Sequence, residues 1–440
     1  MSGQDFLKKA SFHSSIFAKS NPLIGRSQMV IHQILIIGSV WPEPQSSAAG
    51  IRMMQLIRLF KSVGWIITYA SPAAESKYSA NLEMLNIVEL KIEMNSSSFD
   101  SMLKNLNPTI VIFDRFMIEE QFGWRVAENC PNALRVLNTE DLHSLRRERH
   151  NAIKDSRVFK PSDLLSSDIA MREIASILRC DVSLIISAYE LELLTNIFGI
   201  AEEQLHYLPF MAEKIEKRTQ SQWPHFTERQ NFITIGNFLH APNYDSVLVL
   251  KNEIWPLIRK ELPEVDLHVY GAYPSAKVLQ LNNQKEGFLI LGRAEDARQV
   301  MGKARVCLAP LRFGAGLKGK LFEAMLCGTP SVTTSVGAEA MHGSLPWNGF
   351  IEDDGFVFAE NAVQLYTNKT LWNEAQEYGI EIVNQRYNKN DYEDNLISKL
   401  LKIIANLRIH RLQNFTGAML MHHTMASTKY MSRWIEAKNT

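Results

Sequence analysis

Between Ala309 and Met325 the chain runs Ala-Pro-Leu-Arg-Phe-Gly-Ala-Gly-Leu-Lys-Gly-Lys-Leu-Phe-Glu-Ala-Met, which sets Gly314, Gly316 and Gly319 among Arg312, Lys318 and Lys320, with Glu323 shortly after. Glycines let backbone amides come close to a phosphate. A helix starting near Leu317 would aim its free N–H groups and the positive end of its dipole at that phosphate, and the lysines would supply compensating charge. The run therefore reads as a diphosphate cradle. Glu323 falls roughly one to two helical turns further on, where a carboxylate can reach the ribose hydroxyls of a nucleotide whose phosphates rest on the helix start. Gly328-Thr329-Pro330 then ends the helix. For an isolated Gly-x-Gly, a glycine-rich turn with solvated lysines and a surface glutamate would explain the residues equally well; the length of the whole run favours the cradle.

Other positions carry weaker signals. His143 follows a strand and the acidic pair Glu140 and Asp141; there it either bonds a sugar and shares in proton handling, or is a satisfied structural histidine. Arg115, after the apolar run 109–113, is a candidate on the acceptor side, and Glu119 four residues on reads as an ordinary helix-surface partner. The loop from Gly38 through Trp41-Pro42-Glu43-Pro44 to Gly50 follows the first strand. The basic run Arg146, Arg147, Arg149, Lys154, Arg157 and Lys160 suits an anionic lipid head group or carrier phosphate, but interleaved Glu148 and Asp155 favour a solvated helix face. His410, His422 and His423 have no carboxylate or cysteine partner close in sequence, and adjacent histidines point to different sides of a helix, so no metal site is assigned. Asp353 and Asp354 read as loop carboxylates ahead of a strand.

These residues need strands to position them. Short β-branched runs at 32–39, 65–70, 109–113, 134–138, 182–187 and 206–209 alternate with amphipathic stretches, and after a polar link at 213–228 the pattern resumes at 232–236, 265–271, 288–292, 306–310 and 331–334. Continuous apolar strands alternating with helices predict parallel sheets covered on both faces, with ligands beyond the carboxyl ends of the strands. From 388 onward the period is helical, with Leu396, Ile397, Leu400, Leu401, Ile403 and Ile404 on one face before a second apolar stretch at 415–434.

At 440 residues and 46% hydrophobic content the chain exceeds what one core usually fills, so two α/β domains with a cleft between them are expected. The 47 basic residues equal the 47 acidic ones, leaving no global charge to attract nucleic acid. Cys130, Cys180, Cys307 and Cys327 are far apart and lack metal-ligand spacing, as buried thiols in a reduced, cytoplasmic setting would be. No apolar run approaches the roughly 20 residues that cross a bilayer. The first 28 residues are Ser-rich and basic without the apolar core of a secretory signal. They read as a disordered leader or as sequence upstream of a true start at Met29, with an organelle-targeting peptide as the other reading, and are left out of the fold.

The run from Gly314 to Pro330, followed by Ser331-Val332-Thr333-Thr334 and Gly337-Ala338-Glu339, resembles the donor-site signature of family 4 glycosyltransferases, the glycosyl transferases group 1. Gly236-Asn237-Phe238-Leu239-His240-Ala241-Pro242-Asn243-Tyr244-Asp245, Trp255-Pro256, Gly271 and Gly292-Arg293 extend the resemblance backwards over about 110 residues. Phe113-Asp114-Arg115-Phe116 and Leu137-Asn138-Thr139-Glu140-Asp141-Leu142-His143 resemble a subgroup more loosely.

The resemblance implies a GT-B fold: two Rossmann-like parallel-sheet domains facing across a cleft, with an acceptor-side domain over 29–212, a nucleotide-sugar domain over 228–385, and C-terminal helices over 386–440 packing back on the first domain. It implies retaining transfer from a nucleotide-diphosphate sugar to a carbohydrate or other acceptor, with no metal or other cofactor, and peripheral membrane contact as an option. Lys318 and Arg312 would hold the diphosphate with Lys320. Gly314, Ala315, Gly316 and Leu317 would let it approach, Glu323 would bind ribose, and Gly292 and Arg293 would line the base pocket beside Gly271. His143 would face the sugar, with Gly50 and Arg115 towards the acceptor. The chain departs from the pattern at Ala315, where many members carry the first glutamate of a Glu-x7-Glu pair, and at Asn237 and His240, where many carry arginine and lysine. The first departure keeps open a second reading, a GT-B partner protein that binds a nucleotide or carbohydrate without catalysis.

Overall fold

The computed structural model describes residues 31–439, without the side chains of 423–426, so the leader at 1–28 lies outside the described residues. The first sheet contains β1 (Gln33–Ile37), β2 (Ile66–Ser71), β3 (Val88–Lys91), β4 (Ile110–Asp114), β5 (Leu134–Asn138), β6 (Val182–Ile185) and β7 (Leu205–Tyr207). Its strands are parallel and lie in the order β3-β2-β1-β4-β5-β6-β7. Alternate residues feed opposite faces: Ile34, Ile36, Ile110 and Ile112 join one apolar cluster, while Leu35, Ile37, Val111 and Phe113 join the other.

The second sheet contains β8 (Gln230–Ile235), β9 (Leu267–Tyr270), β10 (Phe288–Gly292), β11 (Ala304–Ala309), β12 (Ser331–Thr333) and β13 (Gly349–Ile351), parallel in the order β10-β9-β8-β11-β12-β13. In both sheets the winding direction reverses, between β1 and β4 and between β8 and β11. At such a reversal, neighbouring strand ends send their loops to opposite faces and leave a crevice.

Two strands escape the sequence reading. Both β3 and β13 are edge strands, and β3 is half exposed, with the sequence Val-Glu-Leu-Lys, so it lacks the continuous apolar run of a buried strand. Two expectations are corrected. Asp354 follows β13 and precedes a helix rather than a strand: its carboxylate accepts from the Phe356 and Val357 amides and caps the helix Gly355–Thr367. The helix of the glycine-rich run begins at Gly319 (Gly319–Leu326) instead of near Leu317, because the preceding residues are spent on the loop itself.

The end of the chain lies on the first sheet's side. Leu396, Leu400 and Ile403 of the helix Glu393–Ala405 enter the cluster containing Ile57 and Val182. Arg411 bonds Asp181 (2.7 and 2.8 Å) and the Ala133 carbonyl (2.7 Å). Asn414 donates to the Leu178 carbonyl (2.7 Å), and the helix Phe415–Asn439 follows. No described helix is long and apolar enough to cross a membrane.

Candidate functional site

The two crevices face each other across one cleft of about 660 Å³. From the first lobe it is lined by the loop after β1, by Asp114 and Arg115 after β4, and by Glu140, Asp141, His143 and Arg146 after β5. The second lobe contributes Asn237 and His240 after β8, Gly271 after β9, Arg293 after β10, and the loop after β11 with Lys318, Lys320 and Glu323.

Two helix starts converge here. The helix Ala48–Ser62 carries no acid in its first turn, and its cap is Ser47, whose hydroxyl accepts from the Gly50 amide at 3.0 Å. Opposite it, Gly319–Leu326 has neither a first-turn acid nor a side-chain cap. The two ends meet closely because Gly319 has no side chain: a Cβ there would lie 2.5 Å from the Ala48 methyl. Both dipoles thus present their positive ends to one place, an arrangement suited to an anion. Buried Arg52 fixes the first helix, donating to Asn138 Oδ1 (3.1 Å) and the Leu208 carbonyl (2.5 Å).

The lysines reinforce this. Burial brings Lys318 down to about 8, although Glu339 pulls it upward, and burial brings Lys320 down to about 8 as well. Lys318 Nζ donates to the Gly316 carbonyl (2.7 Å) and is only 8% exposed. A cation short of water and carboxylate partners gains more from an arriving phosphate than a solvated one does. Glu323 is raised by burial to about 7, the nearby charge of Arg298 working against that shift.

The first lobe's wall is more acidic. Burial would raise Asp141, but Arg146, His143 and His240 outweigh it and hold the carboxyl below the usual range. His143, 3.5 Å from Asp141, is lowered by burial to about 4 despite that carboxylate. It is therefore a neutral imidazole at pH 7, able to donate or accept one hydrogen bond. Arg115 (φ +75°) and Glu140 (φ +62°) adopt positive φ at adjacent strand ends, a strain that concentrates at functional sites. Arg115 donates to Ser39 Oγ (3.0 Å), while Glu140 accepts from Asn138 Nδ2 (2.7 Å) and is pushed up by burial and by Asp114.

Most of the residues expected from sequence line this cleft: Gly50, Arg115, His143, Asn237, His240, Gly271, Arg293, Gly314, Ala315, Gly316, Leu317, Lys318, Lys320 and Glu323. Two do not. Arg312 is half exposed and turned onto Asp245 in a bidentate pair, so its charge is already matched outside the cleft. Gly292 (φ +71°) supports from behind, its carbonyl accepting from the Gly271 amide (2.7 Å), while Arg293 bonds Ser46 across the cleft (3.1 Å). Glu119 is not a surface partner of Arg115; it is buried and paired with Arg179. In the basic run, Lys154, Arg157 and Lys160 are exposed, Arg146 holds Asp141 in the cleft, and Arg149 is buried. His410 bonds the Asp181 carbonyl (2.7 Å), and the side chain of His423 lies outside the described residues.

Sequence reading missed Glu190 and the destination of Arg149, and it placed Glu339 in the signature run without giving it a role. Arg149 could have been found, because it shares the 3-4 spacing of Leu142, Leu145 and Ala152, all buried, so a charge on that stripe must meet a partner. Glu190 carries the same signal, standing three and four residues before buried Leu193 and Leu194 on the helix Ala188–Asn196.

Residues 229–370 match the family model of the glycosyl transferases group 1. No curated protein matches the chain. Among solved structures it is similar to sucrose-phosphate synthase from Thermosynechococcus elongatus (TM-score 0.61, 14% identity, covering 85% of this chain and 100% of that one). It is also similar to Anabaena HepE in complex with UDP and glucose (TM-score 0.63, 13% identity, 84% and 99%). A third is the UDP-forming α,α-trehalose-phosphate synthase from Burkholderia xenovorans (TM-score 0.58, 9% identity, 84% and 99%). At these identities the likeness is one of fold, the GT-B fold. The matched segment, residues 229–370, holds the uncapped helix start, both lysines and Glu323, on a chain with the GT-B architecture.

Proposed function

We propose that the protein transfers a sugar from a nucleoside-diphosphate sugar to a hydroxyl of a carbohydrate-containing or other acceptor, with retention of configuration and without a resident metal. The observation that carries this reading is the convergence of two acid-free helix starts, Ala48–Ser62 and Gly319–Leu326, with Lys318 and Lys320 at one end of a closed cleft. Diphosphate fits that charge. Glu323 stands on the same helix, within reach of a ribose, and HepE, with UDP and glucose in its complex, lends the donor class further support.

In the proposed step the acceptor oxygen bonds to the anomeric carbon while the bond from that carbon to the β-phosphate oxygen breaks and its electron pair stays on the phosphate. Lys318, Lys320 and the two helix ends stabilise the charge as it develops, the kind of preorganised electrostatics that contributes most to such steps. Retention brings the acceptor in on the face the phosphate leaves, so the departing phosphate oxygen takes the hydroxyl proton. His143, neutral at pH 7, bonds a sugar hydroxyl, and Arg115 and Glu140 orient the acceptor. Closure of the cleft keeps water from competing.

Nucleotide release from a panel of nucleotide sugars tests the reading, using wild type, Lys318→Ala and Glu323→Ala with circular dichroism as the folding control. Turnover of one donor, reduced on the order of a hundredfold in Lys318→Ala and unchanged by EDTA, is the expected result. Ala315, standing where many members of the resembled family carry a glutamate, favours the second reading of a non-catalytic binding partner. Donor binding without release, even with cell-extract acceptors, would establish that reading instead.

A further inference from the structure

The glycine loop of the second lobe is held by the first. Arg149, only 8% exposed, donates to the Gly314 carbonyl (2.9 Å) and forms a two-pronged pair with Glu339 (2.9 and 2.6 Å). Glu190, fully buried, uses one oxygen to accept from the Leu142 amide of its own lobe and the Gly316 amide of the other, both at 2.8 Å. Gly316 is therefore held through both its flanking peptide groups, its N–H by Glu190 and its C=O by Lys318. Ala315 joins the first lobe's apolar cluster, Leu317 packs in a cluster with Ile186 and Phe210, and Phe313 stacks on His150 (4.3 Å between ring centres).

A Gly-Ala-Gly loop has wide conformational freedom, and freezing it when a ligand arrives would cost affinity; tethers already in place remove that cost. Both tethers are desolvated, a guanidinium in Arg149 and a carboxyl in Glu190 that burial pushes up to about 8, a costly placement for contacts that only pack two lobes together. We propose that Arg149 and Glu190 are positioning residues that shape the glycine loop from across the cleft, so that the diphosphate seat is complete only while the lobes are closed. This rests on the donor-site reading above. It adds that two side chains of the first lobe, Arg149 and Glu190, set the shape of the glycine loop in the second.

The test uses the full-length protein and the variants Arg149→Ala, Arg149→Lys, Glu190→Ala, Glu190→Gln and the exchanged pair Arg149→Glu with Glu339→Arg. Binding of UDP, GDP and ADP is measured by calorimetry, steady-state kinetics use the donor found in the release panel, and small-angle scattering gives the radius of gyration without nucleotide. In Arg149→Ala and Glu190→Ala, the diphosphate Kd and donor KM are expected to rise about tenfold with kcat within about threefold, as for lost uniform binding. The unliganded radius should grow in both. Glu190→Gln, which keeps the accepting oxygen, should retain wild-type KM, Arg149→Lys should fall between, and the exchanged pair should recover part of the loss.

Unchanged KM and radius in both alanine variants would overturn the proposal, as would a loss of folded protein alone with normal KM in what remains. If wild type binds a diphosphate and the alanine variants bind it equally well, only the positioning role falls. If wild type binds none of the three, the donor-site reading falls and takes the proposal with it.

Discussion

At the scale of single residues, the site works because several ionisable groups sit away from their ordinary ranges. Lys318 titrates near 8 instead of 10.5, so its charge is lost as pH rises through about 8. Donor kcat/KM is expected to fall above that pH, and diphosphate binding at pH 8 should take up a proton, read as buffer-dependent heat in calorimetry and reduced in Lys318→Ala. The sign for stability is opposite: the unfolded chain holds that proton up to about 10.5, so this group's contribution to stability rises with pH between about 8 and 10.5. Glu190 runs the other way. Burial and Asp141 raise it from 4.5 to about 8, so the folded protein binds the extra proton in that window and loses stability as pH climbs through it. Glu190→Gln should therefore unfold at a higher temperature than wild type at pH 8.5, by on the order of a few degrees, with the difference gone near pH 4, as thermal melts across pH would show.

At the scale of elements, what matters is that two helix starts come within a methyl's reach of each other. Gly319→Ala puts a Cβ 2.5 Å from the Ala48 methyl, forcing the helix ends apart. Diphosphate affinity should fall about tenfold by calorimetry while circular dichroism stays that of wild type. Gly316→Ala combines a positive φ of +63° with a clash 2.9 Å from Asp141 Cβ. It should cost about 1–2 kcal/mol in a urea titration as well as donor binding. Much of this level was legible in the sequence: apolar runs marked the buried strands, and the residues from Gly314 to Lys320 marked the turn after β11, because close backbone approach leaves a glycine signature. What was not legible came from elsewhere in the chain. Nothing near Arg312 tells that Asp245 will neutralise it, and nothing near Gly316 tells that Glu190, 126 positions earlier, will take its amide. Contacts between lobes are decided by how two separately folded surfaces meet, and no local spacing encodes that.

At the scale of the whole molecule, the C-terminal helices brace the first lobe by hooking buried groups rather than by adding strands. Asp181 is almost fully buried and owes two of its bonds to Arg411, so Arg411→Ala strands part of a carboxylate's bonding capacity. The Arg135 amide remains as partner (2.8 Å), which limits the expected cost to about 1–3 kcal/mol in urea unfolding. Cys130 and Cys180 lie in the first lobe's core, while Cys307 and Cys327 share a cluster of the second, and burial pushes the latter two up to about 12. Such thiols react with alkylating reagents only when their surroundings open. Pulsed alkylation read peptide by peptide should therefore clock the breathing of each half of the protein separately. A nucleotide that stitches the halves together should slow all four clocks, and one that settles on the second half alone should slow only Cys307 and Cys327.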